Sequence, residues 1–340
     1  MHLAFTVNVL SVPAAHRRAG AAFVVAAVTS LWACDPGRLP QPSLWHLGKG
    51  GSTTRSPIDS EALNDPYDGA AHTCASTNES TMVLAVNAAR RAAGVAAMRC
   101  LPLLTRVAAS HAMFLAANEG HWVGSPHGEE PGWPFYTGVA VGDRADAVGI
   151  NRHEFWLSEG VGGGQDPEAV VAAHLATVYH RSQLLTPGGR YFGAEVSTQR
   201  APHAVLNTLA WTNLQRLTAA VYPGPGQEQV PTVFSAAGES PDPTVGMSSP
   251  GFPISLHFPR YLTAQGEETA SLVVRDFRLL LRGQVVPTRL IDAGSDVEVA
   301  RSDVFLVPRA PLIAKTTYTV KANVEYGASR LDGEWRFETR

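Results

Sequence analysis

The spacing of apolar residues between positions 79 and 220 predicts helices, because apolar side chains recur there every three or four residues. One predicted helix stops at Gly94, since glycine commonly follows the last turn of a helix. A second carries His111 on its apolar face, where a buried core histidine is more common than a ligand. A third begins at Asp166-Pro167-Glu168, which combines a helix-capping residue, a first-turn proline and a first-turn acid.

The pattern changes from helical spacing to alternation toward the C-terminus. Apolar and polar side chains alternate over residues 318–326, and the alternation returns at 335–338 and at 297–299. Alternation with a period of two is typical of a half-buried strand, and short strands separated by turn signals predict a β-sandwich. Two further strands are predicted at residues 191–196 and 205–211.

The length of 340 residues corresponds to about two domains at roughly 150 residues per domain. Two stretches rich in proline and glycine lack sustained periodicity and predict connecting segments. The predicted division is a leader at 1–33, a flexible tether at 34–75, a domain of helices and strands at 76–222, a linker at 223–253 and a β-sandwich at 254–340. With 27 basic and 30 acidic residues, the net charge of -3 offers no basic excess for a nucleic acid partner.

The N-terminus has the pattern of an export signal. Basic residues at 16–18 precede the uncharged stretch 19–33, which is shorter than the roughly 20 residues that a membrane-spanning helix needs. The stretch leads into Leu31-Trp32-Ala33-Cys34, which resembles the lipobox of bacterial lipoproteins. This resemblance implies cleavage before Cys34 and a lipid anchor on its sulfur, so we expect an exported protein attached to a membrane of the bacterial cell envelope or located outside the cell. The alternative is an ordinary signal peptide followed by a free or buried cysteine.

Two cysteines, Cys74 and Cys100, remain once Cys34 is set aside. An even pair in an exported chain predicts a disulfide. This bond would close a loop of about 25 residues and stabilise the fold by about 3 kcal/mol. Two buried thiols are the alternative, because the sequence does not give the distance between them.

Histidines are concentrated where the helical patterns lie, since seven of the twelve fall between residues 111 and 203, among several glutamates. The segment 153–157 begins like the zinc-protease helix motif, but Leu157 stands where that motif needs its second histidine. The sequence also lacks a G-x-S-x-G nucleophile turn, a phosphate-binding glycine-lysine loop and a CxxC pair. The common hydrolase, nucleotide-binding and redox signatures are therefore missing.

Several short motifs follow one another in one order between about residues 79 and 220. They are Asn87-Ala-Ala-Arg90-Arg91-Ala-Ala-Gly94, Ala108 to Ala112, His127-Gly-Glu129, Ser158-Glu159-Gly160, Tyr179-His180-Arg181 and Leu184-Leu185-Thr186-Pro187. Their order resembles that of the CAP superfamily, named for cysteine-rich secretory proteins, antigen 5 and pathogenesis-related proteins, in its bacterial SCP-like extracellular type. The resemblance implies an α-β-α sandwich, so the predicted fold class is α+β, with a CAP-like sandwich followed by an all-β domain.

In that family a cluster of histidine and glutamate residues lines a central cleft, and some members bind a divalent metal there. The resemblance places His127, Glu159 and His180 in the cleft, with Glu129 nearby. Two imidazoles and one carboxylate could hold Zn²⁺ with one position open, and they could equally form a hydrogen-bonded network without metal. The sequence departs from the family pattern around Glu159, where Ser-Glu-Gly replaces Gly-Glu-Asn, and at His174, which stands in place of a second glutamate.

The C-terminal residues carry a second resemblance. Phe305 to Leu312, Thr317 to Val320 and Trp335 to Thr339 are similar to the closing strands of bacterial immunoglobulin-like domains of surface proteins. The resemblance implies an immunoglobulin-like β-sandwich at 254–340 that serves in spacing or adhesion.

These features predict a noncatalytic binding or matrix-interaction protein at the cell surface, whose His/Glu-lined cleft accepts a lipid, a small apolar ligand or an envelope component. The alternative is a metal-dependent hydrolase, such as a peptidase acting on the envelope, with zinc on His127, Glu159 and His180 and with Glu129 or Glu159 as the catalytic candidate. In a third interpretation the anchor and the sandwich are primary and the CAP-like domain is a rigid head.

Overall fold

The computed structural model describes strand β1 at His46–Leu47 and residues 65–67, 69–152, 155–197, 203–214, 218–234, 239–327 and 329–340. The predicted leader, Cys34 and most of the predicted tether lie outside the described residues. Among the residues that are described, no helix has the length and apolar character needed to cross a membrane.

The helices of the described chain are α1 Thr77–Ala92, α2 Pro102–Ala117, α3 Val141–Ala147, α4 Pro167–Leu175 and α5 Tyr179–Leu185. The three predicted helices are confirmed as α1, α2 and α4. The Ser76 hydroxyl caps α1 by accepting a hydrogen bond from the Glu79 N–H at 3.1 Å, and Gly94 follows the helix with a φ of 81°. The Asp166 carboxylate caps α4 in the same way, 3.0 Å from the Glu168 N–H.

One sheet lies among these helices. Its strands are β2 Arg99–Cys100, β3 Phe155–Gly163, β4 Gly189–Val196 and β5 His203–Trp211, in the order β2-β4-β5-β3. Successive side chains of β4 point to opposite faces. Tyr191 lies in one apolar cluster with Leu104 of α2, whereas Phe192 lies in another with Val86 of α1 and Val171 of α4. The sheet is therefore covered by α2 on one face and by α1 and α4 on the other, and β3 is an outer strand.

The remaining strands are β6 Ala220–Tyr222, β7 Ile254–His257, β8 Leu272–Leu281, β9 Gln284–Val285, β10 Thr288–Asp292, β11 Asp303–Pro308, β12 Thr317–Tyr326 and β13 Ser329–Glu338. They form two antiparallel sheets, in the orders β1-β13-β12-β8-β9 and β10-β11-β7-β6. The alternation predicted at 318–326 is confirmed, because every second residue from Tyr318 to Tyr326 is buried. These side chains share one apolar core with Leu256 and Leu306 of the second sheet, so the C-terminal residues form a two-sheet β domain.

The strand predicted from Val297 and Val299 is wrong. Both residues lie in turns between β10 and β11, where Val297 is 93% exposed and Val299 is buried. The Asp292 carboxylate accepts hydrogen bonds from the Gly294 and Ser295 N–H groups at 3.0 Å, which closes a turn at the end of β10. Alternation over three residues is too short to distinguish a strand from such a turn.

The described part of the segment 223–253 contacts the β domain closely. The Pro223 carbonyl accepts a hydrogen bond from the Trp335 indole N–H at 2.8 Å, and the Val230 N–H donates to the Glu338 carbonyl at 3.0 Å. One apolar core cluster includes residues of α1, α4, β4 and both sheets of the β domain. The described residues accordingly belong to one compact unit. The predicted domain boundaries stay a prediction.

The predicted disulfide is confirmed. Cys74 and Cys100 are bonded, and their Cα atoms lie 5.1 Å apart. The bond joins the residues just before α1 to β2, and α2 begins two residues after Cys100. It therefore ties the starts of α1 and α2 together.

Candidate functional site

Glu159 lies in the middle of β3, opposite Asn207 of β5. Because β3 is an outer strand, the loop between α2 and α3 reaches Glu159 at the edge of the sheet. Both carboxylate oxygens accept from Nη2 of Arg144 at 2.8 Å, and Nδ1 of His127 lies 3.2 Å from Oε1. Two residues that the sequence analysis placed in the cleft, His127 and Glu159, are thus in direct contact.

Arg144 is the buried cation at the centre of this cluster. It lies on α3, and beyond Glu159 it donates to the carbonyls of His127 and Gly138 at 3.1 and 3.2 Å. Its Nε lies 3.8 Å from Oε1 of Glu129. The guanidinium therefore faces two buried carboxylates and also fastens the loop between α2 and α3.

Glu129 is fully buried and hydrogen bonded on both oxygens. The Thr137 N–H donates to it at 2.6 Å, the Gly138 N–H donates at 3.3 Å, and Nδ1 of His111 lies 3.0 Å from Oε1. Nε2 of His111 faces the Pro126 carbonyl at 2.8 Å, so both ring nitrogens meet oxygen acceptors. His111 is therefore a buried core residue, as predicted, and in addition a member of the polar cluster.

Opposing effects act on the pKa of Glu159. Burial raises this pKa, whereas the hydrogen bond from His127 and the nearby His111 and Arg144 lower it, and the net pKa lies below the usual value. Glu159 is therefore ionised at neutral pH and paired with Arg144. A carboxylate in this state is unsuited to act as a general acid.

His180 lies at the start of α5, on the side of His127. Its ring centroid is 6.3 Å from that of His127. Its Nδ1 lies 3.6 Å from the buried carboxylate of Glu239, which also accepts hydrogen bonds from the N–H groups of Val178 at 2.8 Å and Tyr179 at 2.5 Å. Glu239 thus caps α5 and positions His180 from a distant part of the chain.

His174 of α4 lies against both His180 and β3. Its ring centroid is 4.8 Å from that of His180, its Nδ1 is 2.8 Å from the Val170 carbonyl, and its Nε2 is buried without a hydrogen-bond partner among the described residues. A Cβ at Gly160 would lie 2.6 Å from Oε1 of Gln183 and 3.0 Å from this ring. Burial, together with the nearby His180, lowers the pKa of His174 to about 3, so the ring is neutral. The absence of a side chain at Gly160 therefore leaves space for both Gln183 and His174, so the two departures from the family pattern are sterically compatible.

The predicted zinc set does not fit this arrangement. Across the described ranges, one group of three His, Cys, Asp or Glu residues has ligand atoms within 4.8 Å of one another, namely Cys74, Glu79 and Cys100. Its two sulfurs form the disulfide. The ligand atoms of His127, Glu159 and His180 do not meet this distance, and Arg144 places a cation on both oxygens of Glu159. A metal ion at Glu159 would be repelled by that cation.

The polar network contains three of the four predicted cleft residues, namely His127, Glu129 and Glu159. His180 stands apart, paired with a different carboxylate. Sequence reasoning missed three residues of the site, which are His111, Arg144 and Glu239. The Ala-x-x-His-Ala motif could have indicated His111 as a site residue. Arg144 and Glu239 lie in segments without any recognised motif.

The architecture and the site together define a class of protein: an α-β-α layered domain with a buried His/Glu cluster at one edge of its sheet. Residues 83–212 match the family model of the Cysteine-rich secretory protein family, CAP, so the chain carries a CAP family domain. CAP proteins are typically secreted or extracellular. A comparison with curated proteins gives no match.

Proposed function

We propose that this chain is an exported, lipid-anchored CAP-domain protein of the bacterial cell envelope that binds an envelope component without catalysing a reaction. Export and anchoring are supported by the uncharged stretch 19–33 and by the Leu-Trp-Ala-Cys motif that ends at Cys34. The disulfide between Cys74 and Cys100 supports an oxidising compartment. The β domain, which we propose to be immunoglobulin-like, serves as a spacer between the anchor and the binding surface.

The observation that carries the noncatalytic role is that both candidate catalytic carboxylates are already occupied. Glu129 receives hydrogen bonds from backbone and side-chain groups, and Glu159 is paired with Arg144. A general base needs a carboxylate oxygen within reach of the proton that it abstracts, but both of these carboxylates are buried. The cluster instead stabilises the fold from inside. The side chain of His127 is the part of it that faces solvent, at 42% exposure.

Zinc analysis separates this proposal from the hydrolase alternative. We expect the purified full chain to lack stoichiometric zinc, and we expect the His127→Ala and His180→Ala variants to have the same metal content as the parent. Stoichiometric zinc that disappears in both variants, accompanied by peptidase activity that a chelator abolishes, would overturn the noncatalytic role.

Binding is tested by co-sedimentation with purified envelopes of the bacterium that encodes the chain. The Cys34→Ser variant is used, since it removes the lipid and leaves only binding by the folded domains. We expect this variant to sediment with the envelopes and a chelator to leave its retention unchanged. If the variant stays in the supernatant, the binding role is wrong. If Cys34→Ser and the parent enter a detergent phase equally, the lipid anchor is wrong.

A further inference from the structure

The loop between α2 and α3 carries an exposed aromatic patch. We define the aromatic loop as residues 121–139. Within the described ranges, the exposed tryptophan, phenylalanine and tyrosine side chains all lie in this loop, and they are Trp122, Trp133, Phe135 and Tyr136. Val123 and Val139 add further exposed apolar surface. Exposed aromatic side chains gathered in one loop make that loop a candidate binding site, because exposed apolar surface commonly marks such sites in soluble proteins.

The polar cluster holds the backbone of the aromatic loop from its buried side. The carboxylate of Glu129 accepts a hydrogen bond from the Thr137 N–H at 2.6 Å. The side-chain amide of Asn118 donates to the Pro134 carbonyl at 2.6 Å, next to the exposed rings. A surface that is fixed before its partner arrives loses less conformational entropy on binding. These buried hydrogen bonds to its backbone therefore favour a binding role for the aromatic loop.

Two of the exposed aromatic residues have distinctive local geometry. Phe135 has a φ of 63°, a left-handed backbone conformation that is rare for a bulky residue and that clusters at functional positions. The imidazole of His121 stacks on the indole of Trp133 with ring centroids 3.5 Å apart, and the Glu130 carboxylate lies 3.6 Å from Nδ1 of His121. The ring of Trp133 is therefore held in place by His121, while the strained residue of this segment is Phe135.

The charge of this surface restricts the partner. Residues 119–143 contain no lysine or arginine, and Glu119, Glu130 and Asp143 are exposed in this range. Anionic polymers and anionic membrane surfaces are recognised mainly through lysine and arginine. An uncharged partner with apolar faces fits this surface better than either.

Pyranose rings have this chemistry, since their C–H groups form an apolar face and their hydroxyl groups form hydrogen bonds around the rim. Tryptophan and tyrosine offer large, rigid apolar rings with a polar edge. We propose that the aromatic loop binds an uncharged polysaccharide, with Trp122 and Trp133 as stacking surfaces and His127 as a hydrogen-bonding partner. The inference rests on the proposed function, because it names the chemistry of the envelope component.

Isothermal titration of the full chain with two neutral hexasaccharides, cellohexaose and chitohexaose, tests this proposal. We expect saturable binding of at least one of them and about a tenfold loss of affinity in Trp122→Ala and in Trp133→Ala, as for the loss of one aromatic contact. Leu84→Ala is the matched control, because Leu84 is an exposed apolar residue of α1 outside the loop, and its affinity should equal that of the parent. Thermal melting of each variant verifies that the fold is retained.

Absence of binding to both hexasaccharides at millimolar concentration would overturn the proposal, as would equal affinities of the parent and both tryptophan variants. Two further measurements test whether the aromatic loop binds a second copy of the chain or a membrane instead. If Trp133→Ala abolishes self-association in sedimentation equilibrium, or abolishes binding to phosphatidylcholine vesicles while the saccharides do not bind, the surface is an interface between copies or a membrane contact. If the protein sediments with envelopes but binds neither saccharide, this inference alone is wrong. If it neither sediments with envelopes nor binds a saccharide, the proposed function is wrong as well.

Discussion

Arg144 is the residue on which the buried cluster depends, since its guanidinium faces the carboxylates of Glu159 and Glu129. Removing one partner of a buried ion pair leaves the other charge unpaired, so we expect Arg144→Leu to lower the free energy of unfolding by about 3–5 kcal/mol in urea denaturation. Arg152→Ala is the matched control, because Arg152 pairs with Asp146 at the surface and such pairs contribute little. Equal stabilities of the two variants would show that the cluster does not need its cation.

The neutral ring of His174 makes stability depend on pH. Its pKa is lowered to about 3 in the folded protein, so the unfolded chain binds this proton more tightly between pH 6.5 and 3. Stability therefore falls as the pH drops through that window, and the contribution lost between pH 7 and 5 is about 2 kcal/mol. In urea denaturation, we expect the free energy of unfolding to fall between pH 7 and 5 by about 2 kcal/mol less in His174→Leu than in the parent. An identical pH dependence of parent and variant would contradict the neutral buried state.

At the scale of elements, the contact between α2 and β4 depends on Gly193. A Cβ there would overlap the backbone of Leu104 and Thr105, which a side-chain rotation cannot relieve. We expect Gly193→Ala to displace α2, which carries His111, and to lower the free energy of unfolding by about 1–3 kcal/mol. Gly69→Ala is the control, because a Cβ at Gly69 meets no atom within 4 Å. Urea denaturation of both variants measures the difference, and equal midpoints would contradict this close packing.

Local chemistry explains which elements the sequence could predict. The end of α1 at Gly94 and the start of α4 at Asp166 are encoded by the residues at those positions, and the alternation in β12 is long enough to identify a strand. The cap of α5 comes instead from Glu239, more than fifty residues further along the chain. No sequence pattern links a carboxylate to a helix so far away, so this contact could not be anticipated.

The same distinction applies to the candidate site. The CAP resemblance assigns His127 and Glu159 to one cleft because both residues lie in its motifs, and the two side chains are in contact. Arg144 was not predicted, since a buried arginine on a short helix has no sequence signature that separates it from a solvated one. Its presence changes the chemistry of the cluster, because a cation already occupies the carboxylate that the zinc interpretation assigned to a metal.

At the scale of the whole molecule, α5 connects the CAP domain to the β domain. The Tyr179 hydroxyl donates to the Asp296 carboxylate at 2.7 Å. The Arg181 guanidinium, fully buried, donates to the Pro253 carbonyl at 2.6 Å and to the Ser255 hydroxyl at 3.3 Å. The helix that carries His180 is therefore fastened to the β domain by neutral and charged groups. A β domain attached in this way supports the site in addition to any role as a spacer.

This attachment predicts how the protein unfolds. Because the CAP domain and the β domain share an apolar core cluster and the contacts of α5, neither can unfold without exposing part of the other. We expect calorimetry of the full chain to show one transition with matching calorimetric and van't Hoff enthalpies. Arg181→Leu removes the hydrogen bonds of α5 to Pro253 and Ser255, so its transition should move to lower temperature and remain single. Two separate transitions in the parent would mean that the shared core is too weak to couple the domains, and that the β domain does not hold His180 in place.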